Sequence, residues 1–136
     1  VAMVAGLGGG GPVSMGLVLR GPVVIPAPPG VDSADMESLA QSMHLMEPQH
    51  FLFPFLAHAL GTLTGAVLAF SIAGRNPHLL AYGVGLFFLV GGIAAAQMVP
   101  APTWFVAVDL LFAYLPMAWL ATRIGAGYRN SIKAGM

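Results

Sequence analysis

Three long apolar runs, separated by short proline-containing connections, constrain this chain more than any other feature. They cover residues 51–74, 78–99 and 103–125, and the connections are Arg75-Asn76-Pro77 and Pro100-Ala101-Pro102. A helix needs about 20 mostly apolar residues to cross a hydrocarbon core of ~30 Å, and each run is long enough. Because the connections are short, neighbouring helices must run antiparallel. The pattern therefore predicts three consecutive membrane-spanning helices.

The N-terminal segment is a fourth apolar run with an unusual glycine content. Gly6, Gly8 and Gly11 match the pattern G-x-G-x-x-G, and Asp32 follows about 20 residues later, as in a dinucleotide-binding turn. That site requires a βαβ unit, however, and Pro12 lies where its phosphate-binding helix would begin. Glycine and proline are also commoner in membrane helices than in soluble ones. We therefore expect a first span that is kinked or partly unwound.

Composition favours a lipid environment over an aqueous one. Only 7% of the residues are charged and 57% are hydrophobic, whereas soluble domains carry about 25% charged residues. The net charge is zero and no basic run is present, which argues against a nucleic-acid partner. The chain has no cysteine, which excludes disulfides, thiolate metal sites and a cysteine nucleophile. Lipid is the expected partner of the apolar surface.

The only sizeable polar region, residues 26–50, predicts a short amphipathic helix outside the spans. Ser33 is a suitable N-cap, and Pro48 marks the end. Apolar residues then fall on one helical stripe: Met36, Leu39, Ala40, Met43 and Met46. The predicted fold is thus all-α and forms one domain over residues 1–136. It is an integral membrane antiparallel four-helix bundle with a surface helix in the external segment 26–50. The predicted spans are residues 1–25, 51–74, 78–99 and 103–125, with approximate ends.

The few charges predict an orientation. Acidic residues lie in the first connection (Asp32, Asp35, Glu37 and Glu47), and four of the five basic residues lie in the second connection or at the C-terminus (Arg75, Arg123, Arg129 and Lys133). The positive-inside rule then places both termini in the cytoplasm and residues 26–50 outside, with Arg20 as the exception. The expected location is a bacterial inner membrane.

Several segments together resemble a family of small uncharacterised bacterial inner-membrane proteins. They are PAPPGVD, FLAHALGTLTGA and GGIAAAQMVPAPTWFVAVDLLFAYLPMAWLATRIG, within residues 26–125. The resemblance implies four helices and a short external segment after the first helix. It implies no activity.

Two polar residues within the spans are the main candidates for a site. Asp109 is the only acid inside a predicted span, and His58 lies at a similar depth in another. Gln97 on the intervening helix comes close to the same level. An intramembrane carboxylate costs about 2.5–3.5 kcal/mol on insertion scales, so it needs a partner or a purpose. The three residues predict either a structural polar clamp, which is a hydrogen-bonded contact between helices, or a proton- or ligand-binding site. A third alternative is that Asp109 lies near the headgroups.

Small residues recur every four positions in the second span. Ala57, Gly61, Gly65 and Ala69 form a ridge that allows a second helix to approach closely. On the next span Gly83, Gly91 and Gly92 are predicted to do the same. The ridge predicts packing inside one bundle, with self-association as the alternative.

Metal, haem and pigment binding have weak support. His44, Glu47 and His50 cluster in the external segment, and imidazole with carboxylate or thioether could hold zinc or copper. Pro48 interrupts that spacing, so we expect no metal there. A bis-histidine haem would need a second histidine at the depth of His58, and His78 lies at the opposite face. We expect no cofactor.

No nucleophile–base pattern is visible, so the sequence predicts a non-enzyme. The leading hypothesis is an accessory or structural subunit of a larger membrane complex, with other membrane chains as partners. The alternative is a small transporter or a ligand- or proton-binding protein that uses the region of His58 and Asp109.

Overall fold

The computed structural model describes all 136 residues, and the chain is helical without strands. The helices are α1 (Ala2–Val24), α2 (Met36–Ser42), α3 (Leu52–Ile72), α4 (Pro77–Met98), α5 (Thr103–Phe112) and α6 (Leu115–Ala134), with two short 3-10 turns between α2 and α3 at Met43–Leu45 and Pro48–Phe51. Four helical segments are long and apolar enough to cross a membrane: Ala2–Val24, Pro48–Ile72, Pro77–Met98 and Thr103–Ala134. The predicted all-helical class and the four long apolar helices are confirmed.

The glycine-rich N-terminal segment is a continuous helix rather than a partly unwound one. α1 runs through Pro12 and Pro22 without interruption. A glycine in a helix costs about 1 kcal/mol relative to alanine, but most of the stability of a helix in a protein comes from packing. α1 packs along most of α3. That contact outweighs the poor helix propensity, which is why the sequence pattern alone misjudged this segment.

The contact between α1 and α3 depends on facing glycines. A Cβ atom added at Gly6 would lie 2.6 Å from the carbonyl oxygen of Gly65, and one at Gly10 would lie 2.5 Å from that of Gly61. Residue numbers therefore rise along α1 as they fall along α3. All four residues of the predicted ridge are buried, and Gly61, Gly65 and Ala69 contact α1. The ridge is covered by a helix of the same chain.

Helices α3, α4 and α6 form a dense core of small side chains at one end of the bundle, here called the packed end. Its buried residues are Ala66, Ala69, Phe70, Ala81, Val84, Ala118 and Ala121. Gly125 of α6 lies directly against the ring of Phe70. Arg129 closes this end, because its Nη1 donates a hydrogen bond of 3.1 Å to the carbonyl oxygen of Ala73 after α3.

The last predicted span is two helices, not one. α5 ends at Phe112, Ala113 and Tyr114 form a bend, and α6 begins at Leu115. Pro116 in the first turn of α6 explains the break, since a proline ring clashes with the carbonyl four residues earlier and offers no N–H group. α6 also continues beyond the predicted end at residue 125, to Ala134.

The surface helix α2 is shorter than predicted and begins later. Its N-cap is Asp35 rather than Ser33: the Asp35 Oδ2 atom accepts a hydrogen bond of 3.0 Å from the Ser38 N–H group. After Ser42 the chain tightens into a 3-10 turn, so the apolar stripe does not follow a single helix. Met36, Leu39, Met43 and Met46 of the stripe nevertheless face the space between the long helices, whereas Ala40 is exposed.

Candidate functional site

The site is centred on a hydrogen-bonded pair formed by α3 and α5. Nδ1 of His58 lies 2.9 Å from both carboxylate oxygens of Asp109. Asp109 is 5% exposed, whereas 30% of the His58 side chain is exposed. When both nitrogens of His58 carry a proton, this contact is the only ion pair in the chain. The structure thus brings together the two residues that the sequence placed at a similar depth.

Tyr114 completes the cluster, and the sequence pattern did not indicate it. Its hydroxyl group donates a hydrogen bond of 3.0 Å to Oδ2 of Asp109, and its ring stacks on His58 with centroids 5.8 Å apart. Tyr114 reaches Asp109 because it lies in the bend between α5 and α6, five residues after the carboxylate. Pro116 was the available signal, since a proline predicts a helix start rather than a helix interior.

A glycine on α4 provides the space for Tyr114. A Cβ atom at Gly92 would overlap the Tyr114 hydroxyl group, and one at Gly85 would lie 2.7 Å from Ala118. Gly91, by contrast, is exposed, and a Cβ atom there would meet no atom within 4 Å. Of the three glycines predicted to pack on this helix, Gly92 lies against Tyr114 and Gly83 faces Met3 of α1, whereas Gly91 packs against nothing.

Gln97 does not join the cluster. It is exposed and makes no hydrogen bond to His58 or Asp109. The reason is the rotation of α4, because Gly92 and Ala96 of this helix line the site and Gln97 points elsewhere. Depth along a helix follows from residue counting, but the face that a residue occupies depends on packing.

A cavity of about 380 Å³ extends from this cluster to the underside of α2. This volume lies in the range of ~300–1,000 Å³ typical of small-molecule sites. His58 and Asp109 form its floor. Most of the wall is apolar: Val18, Pro22 and Ile25 of α1, Phe53 and Pro54 of α3, Ala95, Ala96 and Val99 from the end of α4, and Phe105 and Val106 of α5. Met36, Leu39, Met43 and Met46 form the roof.

The methionines of the external segment therefore face the cavity. Met is flexible and polarisable, and it adapts to irregular shapes better than branched residues do. From the sequence alone, the same stripe could lie on a bilayer surface or across the top of the bundle. The structure places it across the top, over the cavity.

The three candidate metal ligands in the external segment do not converge. No group of three or more His, Asp or Glu side chains is close enough to hold a metal ion. His50 uses both ring nitrogens on the backbone: Nδ1 accepts from the Glu47 N–H group at 2.9 Å, and Nε2 lies 3.1 Å from the carbonyl oxygen of Pro26. His44 is exposed. His50 therefore links the backbone at Pro26, after α1, to the turn that precedes α3. This link holds the external segment over the cavity.

Comparison of the chain with models of protein families, with curated proteins and with solved structures finds no match. The function must therefore be argued from the fold and the site alone.

Proposed function

We propose that this chain is a multi-pass membrane protein that binds a small, mostly apolar molecule in the cavity beneath α2. His58 and Asp109 would anchor one polar group of that molecule. The observation that carries the proposal is the position of this pair, which lies at the floor of an apolar cavity instead of inside dense packing. We propose binding, not catalysis.

The cavity argues for a ligand rather than a purely structural clamp. A clamp needs only the contact between the two helices, and it is best protected when side chains fill the space around it. Here Nε2 of His58 has no hydrogen-bond partner in the chain. It is not fully buried, since Thr62 Oγ1 is the only buried side-chain atom that lacks a partner. His58, which lines the cavity, thus keeps one accessible polar atom without a partner in the chain.

The accessory-subunit hypothesis is the second candidate. It is supported by large exposed apolar side chains along α4, including Leu79, Leu86, Phe87 and Val90. Lipid would cover such a face as well as another protein chain would. We therefore rank ligand binding first.

For the orientation we propose four antiparallel spans in a bacterial inner membrane, with both termini in the cytoplasm. The contact from Arg129 to Ala73 supports this arrangement, because it gathers the basic C-terminus and the turn containing Arg75 at one end. Four of the five acidic residues lie in the segment at the other end.

Cysteine labelling tests the orientation, and the natural chain contains no cysteine to interfere. We expect an impermeant maleimide to label Asp35→Cys in intact cells, and to label Ser131→Cys only after the membrane is permeabilised. The opposite result would reverse the orientation without affecting the cavity.

Binding of para-pentylanisole, an apolar probe, tests the cavity. Ala96 lines it, whereas Ala94 on the same helix is exposed and does not. In nanodiscs we expect saturable one-to-one binding to the natural chain and to Ala94→Leu, and weaker binding to Ala96→Leu, whose larger side chain takes part of the cavity. Equal binding to both variants, or none to the natural chain, would refute the proposed site.

A further inference from the structure

We propose that the cavity opens sideways into the bilayer between α1 and α4, and that its ligand is a membrane-dissolved molecule whose long hydrocarbon chain leaves through this opening. The inference rests on the proposed function and deepens it by naming the class of ligand. It follows from which neighbouring helices are joined around the cavity and which are not.

Three sides of the cavity are closed by joined helices. α1 and α3 meet beside it, where a Cβ atom at Gly21 would lie 2.9 Å from that of Phe53. α3 and α5 are joined by the hydrogen bonds between His58 and Asp109. α4 and α5 are held together at this end of the bundle because only residues 99–102 connect them. The fourth side lies between α4 and α1.

α1 and α4 touch only toward the packed end. A Cβ atom at Gly6 would lie 3.0 Å from Val84, and one at Gly10 would lie 3.1 Å from Phe88. The two residues of each contact are 78 positions apart, so the helices run in the same direction and keep one register. Elsewhere α1 packs mainly on α3.

Further out, α1 and α4 face each other across the cavity. The same register sets Val18 opposite Ala96, and both residues line the cavity. Val18 is 44% exposed, so α4 does not cover it. The wall that α4 presents there includes Gly92, Ala95 and Ala96, whose side chains are small. A gap therefore separates the outer halves of the two helices.

The direction toward water is covered. Met36, Leu39, Met43 and Met46 form the roof, and the link from His50 to Pro26 holds the external segment in place. A ligand arriving from the aqueous side would have to displace this roof. One arriving from the bilayer would pass between α1 and α4 with the roof unmoved.

The gap faces hydrocarbon. The outer halves of both helices carry exposed apolar side chains, such as Met15 and Leu19 of α1 and Ile93 of α4. From the level of His58 to that of Phe51 the cavity is about 10 Å deep at 1.5 Å per residue. A lipid chain spans half of the hydrocarbon core, about 15 Å. A chain of that length cannot stand upright in the cavity, so its end must extend through the gap.

Probes with the same head group and different chain lengths test this inference. Para-hexadecylanisole has the head group of para-pentylanisole and a chain of lipid length. We expect the two to bind the natural chain in nanodiscs with affinities, as mole fractions in the membrane, that agree within about threefold, because the additional carbons remain in hydrocarbon.

A bulky residue at the gap should affect only the longer probe strongly. Val18→Trp narrows the gap, and Leu19→Trp is the matched control because Leu19 is exposed and does not line the cavity. We expect Val18→Trp to weaken binding of the hexadecyl probe about tenfold more than that of the pentyl probe, as overpacking predicts. Leu19→Trp should change neither affinity.

The outcomes separate the two proposals. Binding of the pentyl probe with exclusion of the hexadecyl probe would mean a closed cavity, which overturns this inference and leaves the binding site intact. An equal effect of the two tryptophan variants on the ratio of the affinities would overturn the route between α1 and α4. Binding of neither probe would refute the site itself. The comparison in the natural chain needs no substitution, so it decides the inference even where Val18→Trp fails to fold.

Discussion

The two ends of this helix bundle use similar small residues with opposite results. At the packed end, Ala81 and Ala118 are fully buried in a cluster of apolar side chains. At the other end, Gly92 and Ala96 line a cavity of about 380 Å³. A small residue therefore belongs to a close contact at one end of the bundle and to the wall of a cavity at the other, and the segments packed around it decide which.

The largest expected effect is at the seam between α1 and α3. In Gly6→Leu the new side chain would meet the carbonyl oxygen of Gly65, at 2.6 Å from the Cβ position, and also Ala69 and Val84. We expect a loss of about 3 kcal/mol or more in the free energy of unfolding, because overpacking here would require backbone movement. Gly8→Leu is the matched control, since no atom lies within 4 Å of its Cβ position.

Unfolding in mixed micelles with increasing sodium dodecyl sulfate would measure both Gly variants. A similar loss of stability in Gly6→Leu and Gly8→Leu would mean that α1 does not pack on α3 as described.

At the cavity end the largest effect is expected from Asp109→Leu. The substitution removes the acceptor of two groups, the His58 Nδ1–H and the Tyr114 hydroxyl, and leaves both without a partner. We expect a cost of about 2–3 kcal/mol in the free energy of unfolding, since each stranded polar group costs about 1–3 kcal/mol. Asp109→Asn keeps an acceptor oxygen and should cost less. The same titration with sodium dodecyl sulfate measures both variants. A larger loss of stability in Asp109→Asn than in Asp109→Leu would mean that residue 109 makes only apolar contacts.

Enlarging an alanine at each end compares the packing directly. Ala81→Leu inserts three carbon atoms into the packed end, where Ala81 has no exposed surface, and should cost about 1–3 kcal/mol. Ala96→Leu places the same atoms in the cavity and should change stability by less than about 0.5 kcal/mol, because free space receives them. Thermal unfolding of the two variants measures the difference. Equal costs would show that the cavity is as densely filled as the opposite end.

The smallest predicted effect compares two adjacent glycines on α4. Gly92→Ala would push the Tyr114 hydroxyl group away from Asp109 and should cost about 1 kcal/mol, the net value of one hydrogen bond. Gly91→Ala meets no atom within 4 Å and should be neutral or stabilising by up to ~1 kcal/mol, because alanine is the better helix former. Thermal stability measurements decide the order of the two variants.

The sequence anticipated part of the site. Counting residues from the ends of the apolar runs places His58 and Asp109 at the same depth, and the structure joins them at 2.9 Å. The same counting wrongly suggested Gln97, because depth does not report the rotation of a helix about its axis. Tyr114 was missed because the last apolar run was treated as one helix, although Pro116 indicates a second helix start.

The sequence by itself determined the class of fold. Long apolar runs between short proline-containing connections have few solutions other than helices packed side by side. The charges other than Arg20 and Asp109 lie in the connections or toward the C-terminus, so most of the interior is apolar. Tertiary structure decided the rest. α1 is continuous because its glycines pack against those of α3, although their intrinsic propensity opposes a helix. The cavity is enclosed by residues of α1, the external segment, α3, α4 and α5, so it depends on contacts between segments rather than on the pattern within any one of them.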